Sequence, residues 1–182
     1  MGITGASGSI FGARLLERLH ERGGLEIHLI VSRAGQQVLH RETGRTLDDL
    51  RSLAHYCHDI DNLEAPLASG SFRTDGMVVA PCSVRTMSAI ATGLASNLLL
   101  RAADVTLKER RPLILMVRET PLHLGHLRTM TALAEMGVIL APPIPAFYHN
   151  PSTIMDLVDH TLDRVLDLLG LEPQDARRWT GP

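Results

Sequence analysis

Lysine is nearly absent: Lys108 is the only one in 182 residues, and all other members of the 18 basic side chains are arginine. Positive charge therefore comes as planar guanidinium, suited to multidentate contact with oxyanions. Aromatic residues make up 3%, with two tyrosines, Tyr56 and Tyr148, and one tryptophan, Trp179. Cysteine occurs twice, at Cys57 and Cys82, which argues against a disulfide framework and for a reducing compartment, the cytoplasm. No apolar run approaches the ~20 residues a membrane-crossing helix needs, and no basic segment followed by an apolar one opens the chain. An excess of one charge is missing too: the formal net charge of −2 advertises no nucleic-acid or anionic-membrane surface.

What is present is alternation. Short apolar runs at 1–4, 25–32, 75–81, 113–117 and 138–142 read as strands buried on both faces. Helical spacing separates them over 9–21, 33–42, 46–55, 84–93, 98–110, 124–136 and 152–169, the last opening at a Pro151-Ser152 cap. This order predicts one α/β domain over 1–170, a doubly wound parallel sheet with ligands beyond the carboxyl ends of its strands. The polar tail 171–182 is expected to complete the site or an interface. MGIT is short for a central strand, and the expectation is a start several residues upstream.

The first strand runs into Gly5-Ala6-Ser7-Gly8-Ser9 and a helix, a junction whose free N–H groups and dipole suit a phosphate. A second such junction, PCSVRT, follows the strand at 75–81 and carries Ser83 and Thr86; Ser32 ends the strand at 25–32, and Ser69 lies in ASGSF. Hydroxyls repeated along one rim fit a mononucleotide such as FMN, because no acidic ribose-binding residue ends the second strand. A cationic group accompanies them: Arg101 and Lys108 seven residues apart on one helix face, Arg118 beside Glu119, Tyr148 in AFYHNP, and Arg164. Together these can bind a further phosphate without metal.

Other chemistries are excluded by what they would need. TGASGSIFG also fits the turn of short-chain dehydrogenases, yet neither tyrosine has a lysine four residues on to lower its phenol pKa. His123-Leu124-Gly125-His126 looks like an adenylyl-transfer motif, but it follows the fourth strand instead of the first. His55, Cys57, His58 and Asp59 match no common zinc spacing, and Asp48-Asp49 lacks the further carboxylates of a magnesium-diphosphate clamp. No metal is expected.

The blocks TGASG, IVSRA, ASGS, PCSVRTMSAIATG, RAADVTLKERRPLIL, RETP and PPIPAFYHNP, with the final helix bearing Arg164, resemble the UbiX-type flavin prenyltransferases within the homo-oligomeric flavin-containing Cys decarboxylases. The resemblance spans essentially the whole chain. It implies a Rossmann-like, flavodoxin-type subunit in a homo-oligomer, often a dodecamer. It also implies transfer of a dimethylallyl group from dimethylallyl monophosphate to reduced FMN, the prenylated FMN serving a UbiD-type decarboxylase. By position, Gly5, Ala6, Ser7, Ser32, Ser83, Val84, Arg85, Thr86 and Arg118 match FMN contacts. Arg101, Lys108, Tyr148 and Arg164 match the prenyl-phosphate site, with Ser69 nearby, Glu42 contributed by a neighbouring subunit and Trp179 from the tail. The catalytic roles fall on Ser7, Glu119, Lys108 and Tyr148. The PCSVRT turn disfavours the family's peptidyl-cysteine decarboxylase branch. The readings left beside transfer are a non-catalytic carrier of prenylated FMN and another FMN-dependent decarboxylase or reductase.

Overall fold

The structure, a computed structural model, describes residues 1–171. Its elements run β1 (Gly2–Ile3), α1 (Ser9–Arg22), β2 (His28–Val31), α2 (Arg33–Thr43), α3 (Leu47–Arg51), β3 (Tyr56–His58), a 3₁₀ turn (Pro66–Ala68), β4 (Met77–Cys82), α4 (Val84–Ala91), α5 (Leu98–Lys108), β5 (Leu113–Val117), α6 (Leu124–Glu135), β6 (Ile139–Leu140) and α7 (Ile154–Leu168). Every strand pairing is parallel, in the order β3-β2-β1-β4-β5-β6. Without β3 this is the flavodoxin-type order; the added edge strand makes it the six-stranded Rossmann order.

β3 is absent from the sequence reading, because Tyr-Cys-His offers no apolar run; its backbone pairing with His28–Ile30 creates it. The helix expected over 46–55 contracts to Leu47–Arg51, closed at its start by a Thr46–Asp49 capping box. At α7 the cap is Thr153 instead of Ser152, and both residues donate to the Asp156 carboxylate.

Both central strands are buried throughout, and their alternation sorts the core. Val78, Ala80, Ile114 and Met116 face a cluster with Leu15, Leu16 and the α7 residues Val158, Leu162 and Val165. Met77, Val79, Leu113 and Leu115 face another with Met87, Leu98, Leu99 and Leu133. Close approach makes one glycine obligatory: a Cβ at Gly12 would lie 2.2 Å from the Ala80 carbonyl oxygen. Arg14 and Arg18 clamp α1 to α7 through Asp159 (2.8 Å) and Asp163 (2.5 Å).

Candidate functional site

Strand order reverses between β1 and β4, so the crevice beyond their carboxyl ends is where such a sheet takes a ligand. The turns after β1, β2 and β4 each open a helix there. Buried Thr4 ties two of them: its hydroxyl donates to the Pro81 carbonyl and accepts the Ser83 N–H, each at 2.8 Å. Ser83 then caps α4, accepting the Thr86 N–H and donating to the Thr86 hydroxyl (3.1 Å). Ser32 caps α2 through the Gly35 N–H at 3.0 Å. The Arg118 N–H donates to the Cys82 carbonyl, placing that exposed arginine at the end of β5 beside β4.

Gly5, Ala6, Ser7, Ser32, Ser83, Val84, Arg85, Thr86, Arg118 and Glu119 therefore gather along one rim. A mononucleotide fits this rim. The caps leave first-turn N–H groups of α2 and α4 for a phosphate. The β1 turn also lies so close to α2 that a Cβ on Gly5 would stand 2.6 Å from the Ala34 Cβ. Glu119 accepts the Thr120 N–H at 3.0 Å.

Within one chain, the N-terminus of α1 is met by a side chain of α2. Gly8, at φ 93°, supplies no side-chain cap, and the carboxylate of Glu42 takes its place. It accepts the N–H groups of Gly8 (2.9 Å) and Ser9 (2.8 Å) and the Ser9 hydroxyl (2.7 Å). Burial opposes the charge, but these bonds and one from the Ser7 side chain outweigh it and hold Glu42 below the ordinary carboxylate range. The resemblance has Glu42 serve a neighbouring subunit; within one chain it lies on its own glycine turn and orients Ser7.

Within one chain the cationic residues fall into separate groups. Arg101 donates to the Ala68 carbonyl (3.0 Å) and pairs with Asp104 (2.6 Å). Lys108 pairs with Glu109, its ammonium against Gly70 and so next to Ser69. Ser69, Arg101 and Lys108 form one patch, and Lys108 ends the helix that feeds the amino end of β5, away from the rim. Tyr148, beyond β6, hydrogen-bonds His160 of α7 (3.0 Å); Arg164 lies one turn further on that helix. Trp179 and the tail from 172 lie outside the described residues.

Three structural residues escaped the sequence reading. Thr4 stitches β1 to β4, His160 holds Tyr148, and Arg111 pins the Ser69 loop through the carbonyls of Gly70 and Phe72. Only the Arg110-Arg111 pair in KERRP carried a visible signal. His123 is a helix cap whose Nδ1 accepts the Gly125 N–H at 3.0 Å, its ring stacked on His126. His58 meets His28 at 2.8 Å, and no metal-ligating trio gathers among the described residues.

A rim built this way is that of a flavin-binding protein, and the chain belongs to the Flavoprotein family, whose model matches residues 1–166. Within that family it is similar to curated flavin prenyltransferases. It is 51% identical over 181 residues to flavin prenyltransferase UbiX of Thauera aromatica, covering 100% of this chain and 93% of that one. The Escherichia coli K12 flavin prenyltransferase UbiX is 50% identical over 183 residues, with 100% and 97% covered. A dodecameric FMN-dependent UbiX-like decarboxylase from Escherichia coli O157:H7 superposes with a TM-score of 0.96 at 47% identity, covering 99% of this chain and 97% of that one. AnUbiX (PadA1) in complex with FMN and dimethylallyl pyrophosphate gives 0.97 at 44%, covering 100% and 96%. Neighbours such as the cypemycin decarboxylase, at 19% identity, share the fold alone.

Proposed function

We propose that this chain is a flavin prenyltransferase, joining a dimethylallyl group from dimethylallyl monophosphate to reduced FMN and yielding prenylated FMN for a UbiD-type decarboxylase. One observation carries the reading. The chain that builds a mononucleotide rim at the β1/β4 switch also sets an arginine and its only lysine on one patch of α5, at full-length identity near 50% to curated enzymes of this activity.

Reduced FMN supplies the electron-rich ring that takes the allyl group. Negative charge grows on the phosphate as its bond to the allyl carbon breaks. Lys108, Arg101, Arg164 and the Tyr148 hydroxyl hold that phosphate and stabilise the transition state more than the ground state. Glu119 carries the proton exchanged at ring closure, with Ser7, oriented by Glu42, assisting.

Since Lys108 and the glycine turn stand at opposite ends of the sheet, the patch of one copy completes the rim of another. Exposed apolar side chains offer surface for such an assembly: Leu122, Leu124 and Leu127 near α6, and Ile144, Phe147 and Ile154 around the β6–α7 loop. No described helix is long and apolar enough to cross a membrane, and the two free cysteines suit the cytoplasm.

The test is an anaerobic incubation with reduced FMN and dimethylallyl monophosphate, then with the diphosphate, read by mass spectrometry of the released flavin. The expected product is FMN heavier by one cyclised dimethylallyl unit, lost in Glu119→Gln and Lys108→Gln. Unmodified FMN from folded, flavin-loaded protein with both donors overturns the reading in favour of a carrier.

A further inference from the structure

We infer that His160 is a positioning residue that donates its Nε2–H to the Tyr148 oxygen and so turns the phenol's own hydrogen outward, toward the departing phosphate beside Arg164. The inference rests on the donor site proposed for Tyr148 and Arg164. His160 and Arg164 stand four residues apart on α7, hence on one helix face, and Tyr148 lies 3.0 Å from His160 Nε2.

Tyr148 is 58% exposed, so core packing alone does not require its bond to His160. The ring of His160 is nonetheless held in place from two sides. His149 stacks on it at 4.0 Å between centroids and 3° between planes, while Tyr148 meets it edge-on at 5.2 Å. Both ring nitrogens of His149 are buried without a hydrogen-bond partner, so that imidazole serves as a stacking surface and not as a polar contact. Burial, reinforced by His149 and opposed by Asp163, keeps His160 below the ordinary histidine range and hence neutral near pH 7. A neutral imidazole and a phenol share one hydrogen between nitrogen and oxygen. When nitrogen supplies it, the phenol O–H is left to donate, and a phosphate oxygen can only accept. Fixing that direction before the donor arrives removes an ordering cost from the step in which charge develops.

The experiment compares His160→Phe, His160→Gln, Tyr148→Phe and the double Phe variant in the anaerobic prenylation assay, with FMN affinity measured alongside. His160→Phe keeps the stacking and loses the donor; His160→Gln keeps a donor near the Nε2 position. Expected is a rise of about tenfold in KM for dimethylallyl monophosphate in both single Phe variants, the loss of one hydrogen bond to a charged group. FMN affinity should stay within about threefold, kcat should fall alongside the rise in KM, the double variant should match Tyr148→Phe, and His160→Gln should recover most of both losses. A raised KM in Tyr148→Phe with none in His160→Phe, or a double variant equal to the product of the singles, overturns the inference and leaves the donor site standing. An unchanged KM in Tyr148→Phe removes the donor role of Tyr148, and the inference with it.

Discussion

The Thr4 hydroxyl accepts the Ser83 N–H at 2.8 Å, joining the end of β1 to the first residue beyond β4. The same hydroxyl donates to the Pro81 carbonyl, so one buried side chain satisfies both strand ends at the switch point. Thr4→Val keeps the shape, orphans the Ser83 N–H and leaves the Pro81 carbonyl only the Thr4 backbone N–H at 3.2 Å. It should cost about 1–3 kcal/mol in urea unfolding and weaken FMN binding, while Thr4→Ser should recover both.

Gly12→Ala places its Cβ 2.2 Å from a backbone oxygen of β4, which cannot move aside as a side chain would. Helix α1 must lift from the sheet, at a cost of roughly 1–3 kcal/mol. Thermal unfolding should show the loss, with FMN affinity falling because the glycine turn moves with the helix.

Lys108→Gln should leave folding untouched, since the side chain is exposed and its partner is Glu109. Prenylation is expected to drop by about 10²–10³ in kcat with FMN affinity preserved. A matching loss of FMN affinity would place Lys108 in the flavin site instead of the donor site.

Cys82 is buried, and burial pushes its thiol up to about 12. The folded form thus keeps a proton that the unfolded chain releases at its ordinary, lower pKa. Stability from this group is complete below about pH 8 and declines as pH rises toward 12. Urea midpoints at about pH 8 and pH 11 should show the decline, and an aromatic disulfide reagent should titrate Cys57 well before Cys82 in folded protein.

Glu42→Gln removes the charge that caps α1 and leaves one acceptor oxygen where two carboxylate oxygens serve. Because Glu42 is largely exposed, stability should fall by no more than about 1 kcal/mol. The folded carboxyl lies below its ordinary range, so its contribution is present above the unfolded pKa and fades as pH falls through the folded one. Wild type should therefore lose its advantage over Glu42→Gln in acid, as paired urea curves at neutral and acid pH would show.

Strand–helix alternation, the apolar runs of β4 and β5, and the serines at strand ends were legible in the sequence, because each depends on neighbours within a few residues. A continuous apolar strand must be buried on both faces, and a glycine or serine between strand and helix has a local reason to be there. Longer reach is a matter of packing. Glu42 fills the cap that Gly8 lacks from 34 residues away, Thr4 meets Ser83 across 79, and β3 exists only because β2 offers its edge. Arg101 and Lys108 read as one helix face from spacing alone, but that α5 runs antiparallel to the strands and, within one chain, carries Lys108 to the end of the sheet opposite the glycine turn is set by packing. Residue types and local spacing are properties of the chain, and they decided which chemistry it carries. Which charges meet depends on the course of each helix across the sheet, and only the tertiary structure decided that.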